Sequence, residues 1–427
     1  MSMRSVSVLM AAITLAFSYQ TVSFADDNSE LQGLKSRVEK LEKRVEAQEV
    51  VDELGHKFHP IHSLYGIKIS GGLTLSAHGV SNIKNADNRG AAAVSADFVI
   101  ESPVGENGTV ALVLDFERGG GIANLPAFFT APNGNPTGYN ADIESFDDDG
   151  VHVTQVYYEH NTGDRLFVTV GQLDPTGYFD ANDFANDERG QFMANVFVNN
   201  PTVEWGGTDN FYAPGVRATY FPTGNFDVSV GVFEGNGDYT DTFDNPFVMV
   251  EANLRTDVLG GGNYRLYYWN RQGRDDVLST ATPTNAALAR VRNQGVGVSI
   301  DQTVAQDIGV WFRAGMQRET VAQFDRFVGA GLRVGGAAFG RAHDSVGFGY
   351  AATFISSDYE SYRKGVNPAF DPAAEHYMEL YYDYAFGGAT ELAGFHITPD
   401  LQYVVNPGGD SDASNVLLYG ARVQVYF

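Results

Sequence analysis

Runs of about ten residues in which apolar and polar side chains alternate recur along most of the chain. In the run 67–77 the odd positions carry Ile, Ile, Gly, Leu, Leu and Ala, and the even positions carry Lys, Ser, Gly, Thr and Ser. In the run 109–117 one face is formed by Val110, Leu112, Leu114 and Phe116. Because successive side chains of a β-strand point to opposite sides, each run predicts a strand with an apolar environment on one side and water on the other.

We count sixteen such runs, and they begin near residues 66, 91, 109, 151, 164, 215, 226, 247, 263, 294, 307, 324, 345, 375, 395 and 416. The odd-numbered connections, such as Gly119–Gly150 and Asp174–Pro214, are long, whereas even-numbered ones, such as Asn161–Gly163, are short turns. Glu319–Gln323 is a short exception. Short periplasmic turns and long extracellular loops are typical of outer-membrane barrels. The pattern predicts an all-β fold, a transmembrane antiparallel β-barrel of about 16 strands.

The first 25 residues have the features of a secretory signal peptide. Arg4 gives a positive start, Val6–Phe17 is apolar, and Ser23-Phe24-Ala25 is a small-x-small cleavage sequence. The apolar run is too short to cross a bilayer, which requires ~20 residues in a helix. We therefore expect an exported protein whose signal peptide covers residues 1–25.

A heptad pattern follows the predicted cleavage site. Its apolar seam consists of Leu31, Leu34, Val38, Leu41 and Val45, with arginines at g positions and glutamates at e positions. The pattern predicts a short coiled-coil-like helix in a periplasmic segment, residues 26–56, before a barrel domain over residues 57–427. About three turns of heptad are too short to be stable alone. The seam fits a small homo-trimeric stalk and a helix that packs against its own chain equally well.

The end of the chain also alternates. In Tyr419–Phe427 the apolar residues occupy every second position, and the last residue is Phe427. This pattern resembles the terminal signal that the barrel-assembly machinery reads in bacterial outer-membrane barrels. With the signal peptide, it predicts a location in the bacterial outer membrane, reached after export through the inner membrane, in contact with lipid and lipopolysaccharide.

Composition excludes several functions. Asp and Glu outnumber Lys and Arg by 53 to 28, and the formal charge of −25 argues against a nucleic-acid partner. There is no cysteine for disulfides, thiol catalysis or zinc-thiolate sites. No acidic cluster has EF-hand spacing, so we expect neither a metal site nor a cofactor.

If the apolar positions face lipid, their neighbours line the channel. The inward basic residues are then Arg165, Arg217, Arg255, Arg265, Arg271, Arg313, Arg333 and Arg422. The inward acids are Asp97, Glu101, Asp115, Glu117, Glu251, Glu379 and Asp383, and the inward aromatics are Tyr267, Trp269, Trp311, Tyr377 and Tyr381. Opposed charges would set a transverse field that orients dipolar solutes, and aromatic faces stack on sugar rings. The same side chains could instead solvate a wet lumen or pair with loops.

The long connections Gly119–Gly150 and Asp174–Pro214 are the candidates to fold inward and narrow the pore, because structureless loops above ~15 residues usually have a role. Both are acidic, and the second contains the constriction candidates Asp174, Phe179, Asp180, Asn182, Asn186 and Asp187. Alternatively, these acids hold divalent cations that bridge lipopolysaccharide.

Two stretches carry a family resemblance. Val170–Glu188, followed by Gln191-Phe192 and Asn199-Asn200-Pro201, resembles the carbohydrate-selective outer-membrane porins of the OprB type, and so does His396–Gly409. The resemblance implies a sixteen-stranded outer-membrane barrel that passes monosaccharides and similar solutes by passive diffusion. It carries over the six constriction candidates named above and, in the second stretch, Pro399, Asp400, Gln402, Tyr403, Asn406 and Pro407.

The leading hypothesis is therefore a non-enzymatic porin for small carbohydrates and other hydrophilic solutes. The alternatives are a general cation-biased pore and a plugless siderophore-type porin. A cell-envelope tether is a weaker alternative. An outer-membrane lipid hydrolase is also weaker, since no Ser–His pair is visible by spacing.

Overall fold

The structure is a computed structural model of the chain. It describes residues 66–81, 90–119, 127–128, 150–163, 165–205, 212–235, 239–240, 246–271, 292–386 and 394–426. The predicted signal peptide, the heptad segment with its boundary at residue 57, and Phe427 lie outside these residues.

Strands make up most of the described chain. Their bounds are β1 Lys68–Ser81, β2 Gly90–Val104, β3 Gly108–Arg118, β4 Gly150–Thr162, β5 Leu166–Leu173, β6 Ala213–Thr223, β7 Phe226–Glu234, β8 Pro246–Thr256, β9 Gly262–Arg271, β10 Asn293–Ala305, β11 Ile308–Gln317, β12 Phe324–Gly335, β13 Ser345–Ile355, β14 Glu375–Ala385, β15 Phe395–Val405 and β16 Val416–Tyr426. Two α-helices are described, α1 Asn195–Val198 and α2 Ser357–Val366. Neither helix is long and apolar enough to cross a membrane.

The sixteen strands form a closed antiparallel barrel. Each strand pairs with its neighbours in sequence, and β1 closes on β16 with Leu75 opposite Val423. Every strand begins within two residues of its predicted start. The predicted barrel is confirmed. Closure matters physically because a closed sheet leaves no edge strand with unpaired backbone groups in the hydrocarbon.

Connection lengths separate the two ends of the barrel. The even-numbered connections are short, at residues 105–107, 163–165, 224–225, 257–261, 306–307, 336–344 and 386–394. The odd-numbered connections reach much greater lengths, at residues 82–89, 119–149, 174–212, 235–245, 272–292, 318–323, 356–374 and 406–415. The predicted asymmetry is present, and the connection at 318–323 is the short exception that the sequence indicated. By the rule for outer-membrane barrels, the long connections mark the extracellular end.

Alternation along the strands sorts the side chains as predicted. In β11, Trp311 and Arg313 are buried, whereas Phe312 and Met316 between and beyond them are exposed. The exposed apolar side chains form the surface that meets lipid, and the buried polar ones face the lumen. Whether a strand side chain faces the pore or the outside therefore follows from its odd or even place along the strand.

Candidate functional site

One extracellular connection is folded into the barrel. We call residues 174–205, between β5 and β6, the inward loop. Its side chains Phe179, Phe192, Met193 and Phe197 are fully buried, and their surroundings are lumen-facing residues of the strands. The segment thus lies against the inner wall of the barrel, and the constriction role expected for it stays a prediction.

Asp180 is the centre of the polar contacts between the inward loop and the barrel wall. Its carboxylate accepts hydrogen bonds from the Tyr267 hydroxyl at 2.7 Å, from Arg313 Nε at 3.0 Å and from the backbone N–H of Asn200 at 2.6 Å. The backbone N–H of Asp180 donates to Glu251 Oε2 at 2.8 Å. Asp180 adopts a left-handed backbone conformation with φ of 58°, which aspartate tolerates better than most residues. These contacts fix the loop to β8, β9 and β11.

Arg313 binds the loop backbone as well as Asp180. Its two terminal nitrogens donate to the carbonyl of Phe197 at 2.6 Å and to those of Asp180 and Ala185 at 2.9 and 3.1 Å. The guanidinium is fully buried. Burial of a charge is costly unless it is paired and hydrogen-bonded, and here both conditions hold.

A second set of contacts holds the loop on β14, β16 and β2. Arg422 donates to the carbonyls of Glu188 and Gln191, the latter at 2.7 Å. Glu379 accepts the backbone N–H groups of Met193 and Ala194 at 2.5 and 2.9 Å. Arg189, the only basic residue of the inward loop, reaches Asp97 Oδ1 on β2 at 2.7 Å. The loop therefore extends across the lumen from β8–β11 to β16 and β2.

Local sequence shapes the turn that reaches β16. Asp187 Oδ1 accepts the N–H of Arg189 at 2.9 Å, and its Oδ2 accepts the N–H of Gly190 at 3.0 Å. The Gln191 side chain accepts the N–H of Asn186 at 2.8 Å. Side-chain oxygens of Asp close such turns readily because they bond to the backbone two residues on. Asp187 and Asn186 therefore set the loop geometry.

Aromatic residues pack the loop against the strands. Phe192 and Phe197 meet Trp311 with ring centroids 5.6 and 5.7 Å apart. On the other side Phe179 meets Phe233, in the same cluster as Trp269. Trp269 and Trp311 point inward, as the alternation along their strands predicted, but the loop covers them.

Glycines on the inner wall allow this close approach. A Cβ at Gly315 would lie 2.1 Å from Thr202 Oγ1, and one at Gly309 would lie 2.2 Å from the ring of Phe184. A side chain at either strand position would displace the loop, so glycine is required there by space rather than by backbone conformation.

The predicted pore-lining arginines fall into two groups. The loop covers Arg265, Arg271, Arg313 and Arg422, which are buried. Arg265 pairs with Asp301 at 2.5 Å, and Arg271 pairs with Glu204 of the loop at 3.1 Å. Arg271, Arg313 and Arg422 bond to the loop, as in the alternative that inward charges pair with loops, whereas Arg265 pairs with Asp301 of the wall.

The remaining predicted arginines are less covered. Arg217 on β6 and Arg333 on β12 are half-buried and point inward by alternation. Arg165 lies in the short turn 163–165, where it is exposed, instead of on a strand. Asp115 lies directly opposite Asp97 on the lumen side of β3 and β2. Glu117 belongs to β3, but its side chain is outside the described part of the structure.

Half-buried polar side chains remain between the inward loop and the sector β2–β6. The Arg217 guanidinium lies 4.5 Å from the centroid of the Tyr178 ring and 3.3 Å from Glu159 Oε2. Tyr157 and Glu101 are the neighbouring half-buried residues on β4 and β2. We take this sector as the candidate lining of the open path. Sequence reasoning missed Tyr178, Arg189 and Glu159, although the isolation of Arg189 in an acidic loop was a visible signal.

The remaining constriction candidates have structural contacts. Asp174 caps the turn 175–177 by accepting the N–H of Thr176 at 2.9 Å. Asn182 donates to Ser299 Oγ at 3.1 Å on β10. Burial raises the pKa of the Glu188 carboxyl to about 7, while the adjacent Arg189 opposes this increase. Among the described residues, no group of three or more His, Asp or Glu is arranged to hold a metal ion.

The second resembling stretch stabilises β15 and the turn after it. Gln402 donates to Asp400 Oδ1 at 2.7 Å and accepts from the Tyr377 hydroxyl at 2.9 Å. Asn406, with φ of 53°, donates to the carbonyl of Ala374 at 3.0 Å. The contacts of these residues are with the barrel wall and its neighbouring loop.

The other long connection contributes one described anchor. Phe128 packs against Phe324 and Tyr359 with centroids 5.3 and 5.8 Å apart. Its backbone N–H donates to the buried carboxylate of Glu375 at 3.0 Å, which also accepts the N–H of Gly408 at 2.7 Å. Most of residues 119–149 lies outside the described chain, so the predicted constriction role of that connection stays a prediction.

Comparison with known proteins places these features in a family. Residues 84–427 match the family described as carbohydrate-selective porin, OprB family. A structure of OprB from Pseudomonas putida superposes with a TM-score of 0.66 at 18% identity, covering 85% of this chain and 94% of that one. The outer-membrane channel DcaP of Acinetobacter baumannii superposes with a TM-score of 0.51 at 13% identity, covering 84% and 97%.

Two curated proteins are similar in sequence. Porin B of Pseudomonas aeruginosa is 22% identical over 290 residues, which cover 57% of this chain and 59% of that protein. An uncharacterised protein of Aquifex aeolicus is 25% identical over 259 residues, which cover 61% and 64%. The chain thus spans about three fifths of the length of these relatives.

Proposed function

Because the chain belongs to the carbohydrate-selective porin family OprB, we propose that it lets small carbohydrates and similar hydrophilic solutes diffuse passively across the bacterial outer membrane. The family and the fold are those of channels. The observation that carries the proposal is the inward loop, held on both sides of a sixteen-stranded lumen. A pore of this size without a constriction would pass solutes with little discrimination.

The sector beside the loop supplies the chemistry for sugars. Arg217, Glu159 and Tyr178 place a donor, an acceptor and an aromatic ring within one contact network. Sugar hydroxyls bond to such charged groups, and the apolar face of a sugar ring packs on tyrosine. Passive transport also requires weak binding, so that the solute leaves as readily as it enters. Half-buried side chains that already partner one another meet that condition.

A second candidate is a general cation-biased pore. Asp97, Asp115, Asp187 and Glu188 lie near Arg189, the only base of the inward loop, and Arg422 of the wall is the other base nearby. A lumen with more acids than bases at its narrow part attracts cations. The two functions differ in whether neutral sugars interact with the path.

Current through the reconstituted protein in a planar bilayer separates the candidates. Millimolar glucose or maltose should reduce the ion current, and the Arg217→Gln variant should weaken this block. Arg165→Gln, in an exposed turn, is the matched control. An ion current that no sugar changes, together with strong cation preference, would favour the second candidate. Liposome swelling with glucose gives an independent measure of sugar flux.

The expected partners also belong to the proposal. Recognition of Phe427 by the barrel-assembly machinery and a homo-trimer formed through the heptad are supported by the sequence patterns at the two ends of the chain. Truncation of residues 31–52, with the particle mass measured in detergent, tests the trimer.

A further inference from the structure

Three arginines lie on the lipid-facing side of the barrel at its extracellular end. Arg292 directly precedes β10, Arg318 directly follows β11, and Arg326 lies near the start of β12; all three are exposed. The residues next to them in sequence point into the lumen. Asn293, which follows Arg292, donates there to Oε1 of Gln317, which precedes Arg318, at 3.0 Å. The arginines on the even positions therefore point outward, beyond the exposed lipid-facing apolar residues.

The three side chains belong to one patch, which we call the rim patch (Arg292, Arg318 and Arg326). Arg318 donates to the carbonyl of Arg292 at 2.8 Å. Arg326 is the register partner of Met316, two residues before Arg318. The Arg326 guanidinium lies 5.5 Å from the ring centroid of Phe354 on β13. Diagonal neighbours on adjacent strands lie close enough for long side chains to approach one ligand.

The charge of this patch contrasts with the rest of the chain. The protein has 53 acids and 28 bases, yet the lipid-facing positions at the extracellular ends of β10, β11 and β12 hold no Asp or Glu among the described residues. These positions carry Arg292, Gln294, Val296, Ala314, Met316, Arg318, Arg326 and Val328, whereas a β-bulge turns Phe324 toward Phe128.

Two acids lie close to the patch, and each has a partner. Asp325 lies at the β-bulge between Phe324 and Arg326, its carboxylate accepts from Arg326 Nε at 3.3 Å, and its side chain is mostly buried. Glu319 accepts from Ser357 Oγ at 3.0 Å on α2. Two of the three guanidinium groups thus have no acid bonded to them in the described structure, and the third is bonded to one.

We propose that the rim patch binds the phosphate groups of lipid A in the outer leaflet. The proposal rests on the outer-membrane location argued above. Arginine matches phosphate because its planar fork donates two parallel hydrogen bonds and remains charged. Basic residues at the membrane surface bind anionic headgroups in this way.

A lipid phosphate fits better than a free anion because exposed apolar side chains adjoin the arginines. Met316 on β11 is 54% exposed and Phe354 on β13 is 36% exposed, and both are register partners of Arg326 on the lipid side. A phosphate held by the arginines would have its acyl chains against these apolar side chains. A free phosphate would gain nothing from them.

Native mass spectrometry of the detergent-solubilised full chain tests the assignment. The probes are bis-phosphorylated lipid A and the same lipid A without its phosphates. The triple variant Arg292→Gln, Arg318→Gln, Arg326→Gln should bind the phosphorylated probe at least about tenfold more weakly, which is the scale of one charge-assisted hydrogen bond. The control Arg118→Gln, an exposed position at the same end of β3, should leave binding unchanged.

Three results would overturn the proposal. They are equal binding of both probes by the wild type, unchanged binding by the folded triple variant, and displacement of lipid A by millimolar inorganic phosphate. The heat-dependent shift of the barrel on a gel checks that the variant is folded. If the triple variant does not fold, the single variants Arg318→Gln and Arg326→Gln replace it, and each should weaken binding. Glucose flux in liposomes is measured separately, so loss of the transport hypothesis and loss of the lipid site are distinguishable.

Discussion

Arg313 on β11 and Asp180 in the inward loop form an ion pair with Nε and Oδ1 3.0 Å apart, and both side chains are fully buried. The same arginine donates to three loop carbonyls, and the same carboxylate accepts from Tyr267 and from the loop backbone at Asn200. Each partner thus satisfies groups on both the wall and the loop. The pair is the main polar link that keeps the loop inside the lumen.

Arg313→Gln should release the loop from the wall. Removal of one partner from a buried ion pair costs about 3–5 kcal/mol because the other charge is left unpaired. We expect a larger single-channel conductance and faster proteolysis within residues 174–205. Arg333→Gln is the control, since Arg333 also points inward but has no hydrogen bond to the described residues of the loop. Unchanged conductance and unchanged proteolysis in Arg313→Gln would contradict the assigned role.

Arg189→Gln should increase cation preference. Arg189 is the only base in the loop and lies 2.7 Å from Asp97. One charge about 4 Å from a passing ion in water is worth about 1 kcal/mol, or roughly fivefold in relative permeability. The reversal potential in a KCl gradient measures this change. Arg165→Gln should leave the potential unchanged, and an equal shift in both variants would mean that Arg189 does not act locally.

Cation preference should rise with pH near neutrality. Burial raises the pKa of Glu188 to about 7 from the usual 4.5, so a negative charge appears on the inward loop as the pH rises through about 7. The same raised pKa makes the free energy of unfolding depend on pH. The stabilisation from the protonated carboxyl is fully present below about pH 4.5 and is lost as the pH rises through about 7. Reversal potentials recorded between pH 5 and pH 9 should show this step in the wild type.

Glu188→Gln should abolish that step, and Glu319→Gln, at an exposed extracellular position, should retain it. A step that persists in Glu188→Gln belongs to another carboxyl. A flat profile in the wild type would show that Glu188 does not titrate in this range.

Gly315→Ala should displace the loop by steric conflict. The new Cβ would lie 2.1 Å from Thr202 Oγ1 and 2.5 Å from Asn200 Nδ2. Overpacking of this kind costs about 1–3 kcal/mol, and the polar contacts of Asn200 would be strained with it. We expect a lower unfolding temperature and an altered conductance. Gly224→Ala, in a turn where a Cβ meets nothing within 4 Å, should change neither quantity.

The barrel could be predicted from sequence because strand parity is a local property. Alternation in each run indicates which side chain meets lipid and which faces the lumen, and connection lengths indicate the extracellular end. Trp311 and Arg313 therefore point inward as predicted. The resemblance in Val170–Glu188 also drew attention to the segment that contacts the inner wall at Arg313 and Arg422.

Only the tertiary structure decided what the inward side chains contact. Parity cannot show that Arg313, Arg422 and Trp269 lie beneath a loop that is distant in sequence, because that depends on how residues 174–205 cross the lumen. Strand alternation likewise could not show that Arg217 on β6 lies against the ring of Tyr178 in the loop. The alternating sequence determined a closed barrel with a polar interior, since each strand must present one face to lipid and one to water. The shape of the path inside depends on long-range contacts between the loop and the wall, and those exist only once the chain is folded.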